Sequence, residues 1–458
     1  MSILQRVLVL GATAVAVTTV ASTITGLHWS KSQAYFENNP KELIDTVWQE
    51  INRTYVDATF NQKDWQAIRT EYLDQEYASQ ESAYEAIREM LGELNDPYTR
   101  FMDPQEFANM RVETSGELTG VGIQISQDEE TNELVVVAPI EDTPAFEAGL
   151  ATGDIITKID ERTTEGMDIN EAVNFIRGPV DSAVTLTVRR ETEELVFPII
   201  RARIEIHPVK YEVRSEGPDA GTGYIRLTQF SANAAEEMRD AIKDLETQGV
   251  DRYVLDLRSN PGGLLYASID IARMWLDDGL IVSTVDRQGI TDQQKANGRS
   301  LTDKPLVILV DKGSASASEI LSGALQDNDR AELVGTQTFG KGLVQSVKPL
   351  GDSQSGPGLA VTVAKYLTPS GRDINQEGIE PDYVLELTDE QREALSGNQT
   401  LIGTIDDPQY ARAIEVLTGQ VLLHDTIAEN TAVIEDAGDD TVPVDLFESD
   451  EPPVEIRF

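Results

Sequence analysis

The sequence predicts a multidomain α+β fold: an N-terminal helical cap, an inserted β-rich domain and an α/β core. Three observations carry this. Apolar residues fall at helical spacing between Lys41 and Leu94, and glycine-rich turn signals separate short strand-like runs from about 116 to 205. Beyond about 206, buried-type apolar runs alternate with helical ones. With 458 residues, 40% of them apolar, the chain is long enough for two or three domains and a substantial core. It contains no cysteine, which excludes disulfides and thiolate metal sites. Its 80 acidic residues against 37 basic ones give a formal net charge of −43, which repels nucleic acid and anionic membrane surfaces. The same acidic excess, with lysine scarce relative to arginine, suits a chain bathed in concentrated salt, where self-repulsion is screened.

Taken in order, residues 1–34 read as an export signal or membrane anchor. Arg6 is a small basic start, an apolar run extends from Val7 to about Leu27, and Ser32-Gln33-Ala34 offers a small-x-small cleavage site. The run is long for a signal peptide and thin for a spanning helix, so both readings stay open. Residues 35–115 form the helical region. Leu43, Ile44, Val47, Trp48, Ile51 and Tyr55 share one helix face; Tyr84, Ile87, Met90, Leu91 and Leu94 share another, which ends before Asp96-Pro97. Residues 116–205 read as short strands with two helices, opened by the glycine-rich Gly120-Val121-Gly122-Ile123. Residues 206–388 are the α/β core. There, Tyr253–Leu257 is a buried strand running into Asn260-Pro261-Gly262-Gly263, with Asp256 and Arg258 placed to buttress the turn. Tyr366–Asp382 is a strand followed by a Gly/Pro-rich loop, in which Arg372 is either a structural pin or a substrate contact. A C-terminal helical segment, 389–420, ends in a helix opened by Asp407-Pro408 and closed by Gly419. Residues 421–458, with EDAGDD and ESDEPP, form an acidic tail expected to be disordered.

The chemistry concentrates between Val310 and Gln345. The buried strand Leu306–Val310 feeds Gly313-Ser314-Ala315-Ser316-Ala317-Ser318-Glu319, where small residues permit a tight strand-to-helix turn. A helix N-terminus there offers free backbone N–H groups to anionic oxygen. A serine at such a turn is placed for nucleophilic attack but needs a nearby base. The three histidines, His28, His207 and His424, fall in the leader, a domain junction and the acidic tail. A Ser–His–Asp arrangement is therefore poorly supplied, and Lys341, held between Gly340 and Gly342, is the better base. Two plainer readings compete. A Ser/Ala run before a helix is ordinarily capping and close packing. Gly335 to Lys341 also matches the GxxxxGK of a phosphate-binding loop, but that motif next requires Ser or Thr for magnesium and finds Gly342.

GSASASE followed by FGKGLVQ resembles the C-terminal processing (tail-specific) serine peptidases. NDPYTRFMDP (95–104), DLRSNPGG (256–263) and YLTPSGRDINQEGIEPD (366–382) extend the resemblance over roughly residues 35–420. It implies a crotonase/Clp-like α/β peptidase core, with Ser316 as nucleophile, Lys341 as its base and Gln345 supporting the lysine. The Gly262 and Ala317 N–H groups would form the oxyanion hole. Gly120, Val121, Gly122 and Ile123 look like the carboxylate-binding loop of a PDZ domain, in which backbone N–H groups cradle a terminal carboxylate and the peptide adds a strand. AGLATGDIITKID (148–160) and the helix ending at Ile176-Arg177-Gly178 support that likeness. Arg177 is by resemblance a sensor of the loaded state, although an exposed helix-end arginine explains it as well. These implications describe an exported, extracytoplasmic (periplasmic or cell-envelope) endopeptidase that takes protein or peptide substrates by their free C-termini. No cofactor or metal is needed, nucleic acid is not a partner, and the membrane is met only through the N-terminal segment. The resemblance leaves room for a homodimer and an adaptor protein. The reading from another class is a catalytically inactive PDZ scaffold that binds C-terminal tails.

Overall fold

The computed structural model describes residues 39–128, 131–140, 142–351 and 356–419. The leader and the acidic tail, with His28 and His424, lie outside the described residues. The described residues gather into two compact units, one of those from 39 to 107 with those of 346–361, the other of those of 108–345 with 362–419.

In the first unit, Pro40 opens the helix Pro40–Thr54 at a position where its missing N–H costs nothing. Leu43, Ile44, Val47, Trp48 and Ile51 are its buried face. A second helix, Trp65–Asp74, is capped by Asp64, whose carboxylate accepts the Ala67 N–H at 3.0 Å. Trp65 anchors it by stacking on Trp48 at 6.3 Å between ring centres, and Trp48 Nε1 donates to the Trp65 carbonyl at 2.7 Å. The third helix, Gln80–Gly92, starts at Ser79 and buries Tyr84, Ile87, Met90 and Leu91. The strand Arg100–Met102 pairs antiparallel with Gly358–Ala360. Phe107 fills the space left by Gly358, where a Cβ would lie 2.3 Å from its ring. Lys348 Nζ also pairs with Glu50 of the first helix at 2.6 Å, which ties this returning segment to the N-terminal helices.

The second unit opens with the PDZ-like sheet. Its strands run in the order Ile123–Gln127, Leu134–Pro139, Ile155–Ile159, Ala183–Arg190, Glu193–Ile200, all antiparallel. Leu134, Val136, Ile156, Ile159, Val184, Leu186 and Val188 line its core with Ala172 and Ile176 of the helix Ile169–Ile176. The chain enters and leaves this sheet through a two-stranded ribbon in which Glu117 pairs with Glu205 and Gly120 with Ala202.

The α/β core of the same unit is a six-stranded sheet. Val209–Arg214 is antiparallel to Thr222–Leu227; Arg252–Asp256, Leu306–Val310, Glu332–Gly335 and Tyr383–Val384 follow in parallel. Period-two alternation sends side chains to both faces. Tyr253, Leu255, Ile308, Val310 and Leu333 pack with the helices Ala234–Gln248, Leu265–Trp275 and Ala317–Asp327. Val254, Val307, Leu309 and Val334 pack instead with Tyr410, Ala413 and Ile414 of the helix Pro408–Thr418. Burial on both faces explains the unbroken apolar strands. Each fully buried Val, Leu or Ile contributes about 1.5–3 kcal/mol.

Candidate active site

Asp256 pairs with Leu309, so the neighbouring parallel strands end side by side and the turns that follow them meet at the carboxyl edge of the sheet. In the turn after Val310, Ser314 and Ser318 are 0% exposed. Their hydroxyls are spent on structure: Ser314 Oγ donates to the Leu257 carbonyl at 2.8 Å and Ser318 Oγ to the Asn260 carbonyl at 2.9 Å. Ser316, between them, keeps a partly exposed side chain. Its φ of 56° and ψ of −109° turn it out of the strand-to-helix path at the N-cap of Ala317–Asp327. Such a conformation in a non-glycine residue costs on the order of 1–3 kcal/mol and must be held by its surroundings.

Glu319, 0% exposed, supplies part of that hold. Its Oε2 accepts the Ser316 N–H at 2.8 Å and the Lys341 N–H at 2.9 Å. Its Oε1 accepts the Gly340 N–H at 2.7 Å and the Thr338 hydroxyl at 2.6 Å. One oxygen atom therefore brings Ser316 and Lys341 together at the main chain. Sequence reasoning missed Glu319, although the Ser-x-x-Glu spacing of a capping box was there to read. Tyr366, 1% exposed, puts its hydroxyl 3.2 Å from the Ser316 carbonyl and against the Lys341 carbonyl. The glycines around Lys341 are required. Gly340 has φ of 89°, and a Cβ on Gly342 would lie 2.7 Å from the Asn375 nitrogen. Gln345 sits on the strand Leu343–Pro349 that leaves the loop, its amide nitrogen buried without a hydrogen-bond partner.

The Asn-Pro-Gly-Gly turn meets the serine from the other side. A Cβ on Gly262 would lie 2.6 Å from the Ala315 oxygen, and 2.9 Å from both the Ala317 nitrogen and Ser316 Cβ. Only glycine permits this approach, which sets Gly262 beside Ser316 and Ala317. Ala317, first in its helix, has an N–H with no intrahelical acceptor. The Gly262 N–H donates to Asn260 Oδ1 at 2.9 Å, an Asx turn, while Asn260 Nδ2 holds the Leu227 carbonyl at 2.8 Å. Beneath the turn, buried Arg258 bridges Asp256 at 2.6 Å and Asp407 at 2.7 Å, and its Nη1 donates to Gln409 Oε1 at 3.0 Å. Burial would raise the Asp256 carboxyl, but the charge and hydrogen bonds of Arg258 outweigh it and hold the group below its usual range. Arg372 bonds Gln326 at 3.0 Å and the Asp327 carboxylate at the end of the helix Ala317–Asp327, contacts that suit a structural pin.

In the PDZ-like domain, Ile123–Gln127 is an edge strand, and Gly120–Ile123 leads into it. The groove there is lined by Leu118, Val121, Ile123, Ile125, Val173 and Ile176, with Gly120, Gly122 and Arg177. A side chain on Gly122 would strike Thr143 at 2.3 Å. Arg177 thus shares the groove of the loop and donates to Asn109 Oδ1 at 3.0 Å.

Residues 135–190 match the PDZ domain family and residues 221–385 match Peptidase family S41. An α/β peptidase core of that family joined to a PDZ domain makes this a serine-type endopeptidase carrying a PDZ domain. The chain belongs to the carboxyl-terminal-processing proteases of Peptidase family S41. It is 45% identical over 404 residues to the carboxyl-terminal-processing protease of Synechocystis sp., spanning 85% of this chain and 91% of the relative. It is 41% identical over 377 residues to the chloroplastic carboxyl-terminal-processing peptidase 2 of Arabidopsis thaliana, spanning 80% and 72%. A solved photosystem II D1 C-terminal processing protease superposes with a TM-score of 0.53 at 36% identity, over 81% of this chain and 99% of that one.

Proposed function

We propose that this protease uses a Ser316–Lys341 dyad, after its PDZ groove has captured the substrate's terminal carboxylate, and that it works outside the cytoplasm. The observation that carries the dyad is the common hold of Glu319 Oε2 on the two main chains. Ser316 Oγ attacks the peptide carbonyl as the neutral Lys341 amine takes its proton. Lys341 returns that proton to the leaving amine, and water then releases the acyl group by the same exchange. The Ala317 and Gly262 N–H groups stabilise the oxyanion, the latter by sharing or releasing Asn260 Oδ1. One such donor is worth about 3 kcal/mol.

Capture is supported by the open edge strand beside the Gly120–Ile123 loop and by the aliphatic lining of the groove. The solved relative is titled for C-terminal processing of photosystem II D1; the same reaction class, removal of a C-terminal extension from a protein, is inferred here. Two peptides differing only in a free or amidated C-terminus test capture: amidation should raise KM and leave kcat largely unchanged. Equal KM values would remove the PDZ step. Secretion rests on the leader, and N-terminal sequencing of protein from the cell envelope checks it. Recovery of the full-length protein in the cytoplasm alone would refute it.

A further inference from the structure

We propose that Glu319 and Tyr366 are positioning residues for the reaction. They clamp the main chains of Ser316 and Lys341 together, Glu319 by their N–H groups and Tyr366 by their carbonyls, and so set the spacing of the dyad. This rests on the dyad reading above.

Ser316 and Lys341 come from turns that follow different strands, Leu306–Val310 and Glu332–Gly335. A lysine ammonium or amine rides on a flexible four-carbon stem, so its reach is only as well defined as its Cα. Here both N–H groups end on one oxygen atom, at 2.8 and 2.9 Å, and cannot part without one bond being lost. The carbonyls of the same residues meet one tyrosine hydroxyl. The other carboxylate oxygen is engaged by Gly340 and Thr338, and Thr338 Oγ1 in turn accepts the Ile379 N–H at 2.7 Å. Gly378 permits that contact, since a Cβ there would lie 2.4 Å from the Thr338 carbonyl. The loop 374–379 is therefore the anvil on which the clamp closes.

The chemistry of the donors explains why the residue is a glutamate. A carboxylate accepts at all of its lone pairs and donates nothing. All four partners are donors, so an amide at 319 would turn its NH2 toward N–H groups on one side or the other. Glutamine fits the space and fails the hydrogen-bond pattern.

The test uses the full-length chain and an unstructured protein substrate with a free C-terminus. It compares kcat, KM, affinity for a free C-terminal peptide and the thermal midpoint. Glu319→Gln should lower kcat by about 100-fold and Tyr366→Phe by about 10-fold, with KM and peptide affinity within about 3-fold, because only the spacing of reacting groups is disturbed. The double variant should lose less than the product of the two single losses, since both act on one spacing. Losses that multiply, or a rise in KM with kcat unchanged, would overturn the clamp. Should Glu319→Gln fail to fold, Tyr366→Phe and Thr338→Val decide: each should reduce kcat with KM held, and full kcat in both overturns the proposal. Ser316→Ala and Lys341→Ala run beside them. Turnover by either defeats the dyad itself; if both are dead while Glu319→Gln and Tyr366→Phe keep full kcat, the clamp alone fails.

Discussion

In the proposed dyad Lys341 must be neutral to take the proton of Ser316, whereas a free lysine, with a pKa of about 10.4, is almost wholly charged at pH 7. The dyad therefore requires a site that disfavours the ammonium, as burial away from water does. Acylation should rise with pH through a single ionisation in the neutral to mildly alkaline range. The buried amide nitrogen of Gln345 carries no negative charge. Gln345→Glu would favour the ammonium and should move that rise to higher pH, lowering the neutral rate. Lys341→Arg should be inactive, because guanidinium stays protonated throughout. A single-turnover pH profile of the three proteins checks this, and robust cleavage by Lys341→Arg would exclude lysine as the base. The serines separate just as sharply. Ser316→Ala should lose turnover and keep its thermal midpoint. Ser314→Ala and Ser318→Ala should keep the nucleophile but each lose about 1 kcal/mol of stability, the worth of one buried hydrogen bond. A dead but fully stable Ser318→Ala would contradict the assignment.

The helix Pro408–Thr418 closes the face of the sheet behind the Asn-Pro-Gly-Gly turn, and Arg258 fastens it there through Asp407 and Gln409. Arg258→Ala leaves two carboxylates buried without their cation and should cost about 3–5 kcal/mol. The effect carries a pH signature. Asp256 is held below its ordinary value of 3.8, so its contribution is fully present above that value and is lost as pH falls through the lower folded one. Without Arg258, burial pushes the Asp256 carboxyl upward, and stability should begin to fall at a distinctly higher pH. Thermal midpoints between pH 3 and 7 measure this, within the range where carboxylates titrate; superimposable curves for the two proteins would refute it. These elements were partly legible in advance. Asp407-Pro408 and Gly419 announce the helix because caps are local chemistry, as are the glycines around Lys341 and at Gly262. The helix Trp65–Asp74 was not read from the sequence, because its buried stripe is short, only Trp65, Ile68 and Tyr72. Nor were Glu319 and Tyr366, whose roles depend on partners far away in the chain. The grouping of residues 346–361 with the N-terminal helices depends on a strand pairing, Arg100 with Ala360, that no local pattern records.

At the scale of the whole molecule, a formal charge of −43 sets up self-repulsion that opposes the compact state. Salt screens it, with a Debye length that falls from about 10 Å at 0.1 M to about 3 Å at 1 M. Exposed ion pairs such as Lys41–Glu76 weaken in salt too, but each is worth only about 0–1 kcal/mol. The thermal midpoint should therefore rise with sodium chloride, and a flat or falling midpoint would show that repulsion does not limit stability. The ribbon of Glu117–Gly120 and Ala202–Glu205 has a different consequence. The Ile206 N–H donates to the Gly116 carbonyl at 2.9 Å, so the chain leaves the core and rejoins it at one point. Topologically the PDZ domain is a cassette hung on the peptidase. If capture works as proposed, swapping the cassette changes what the enzyme selects, while how it cuts stays written in the body that carries it.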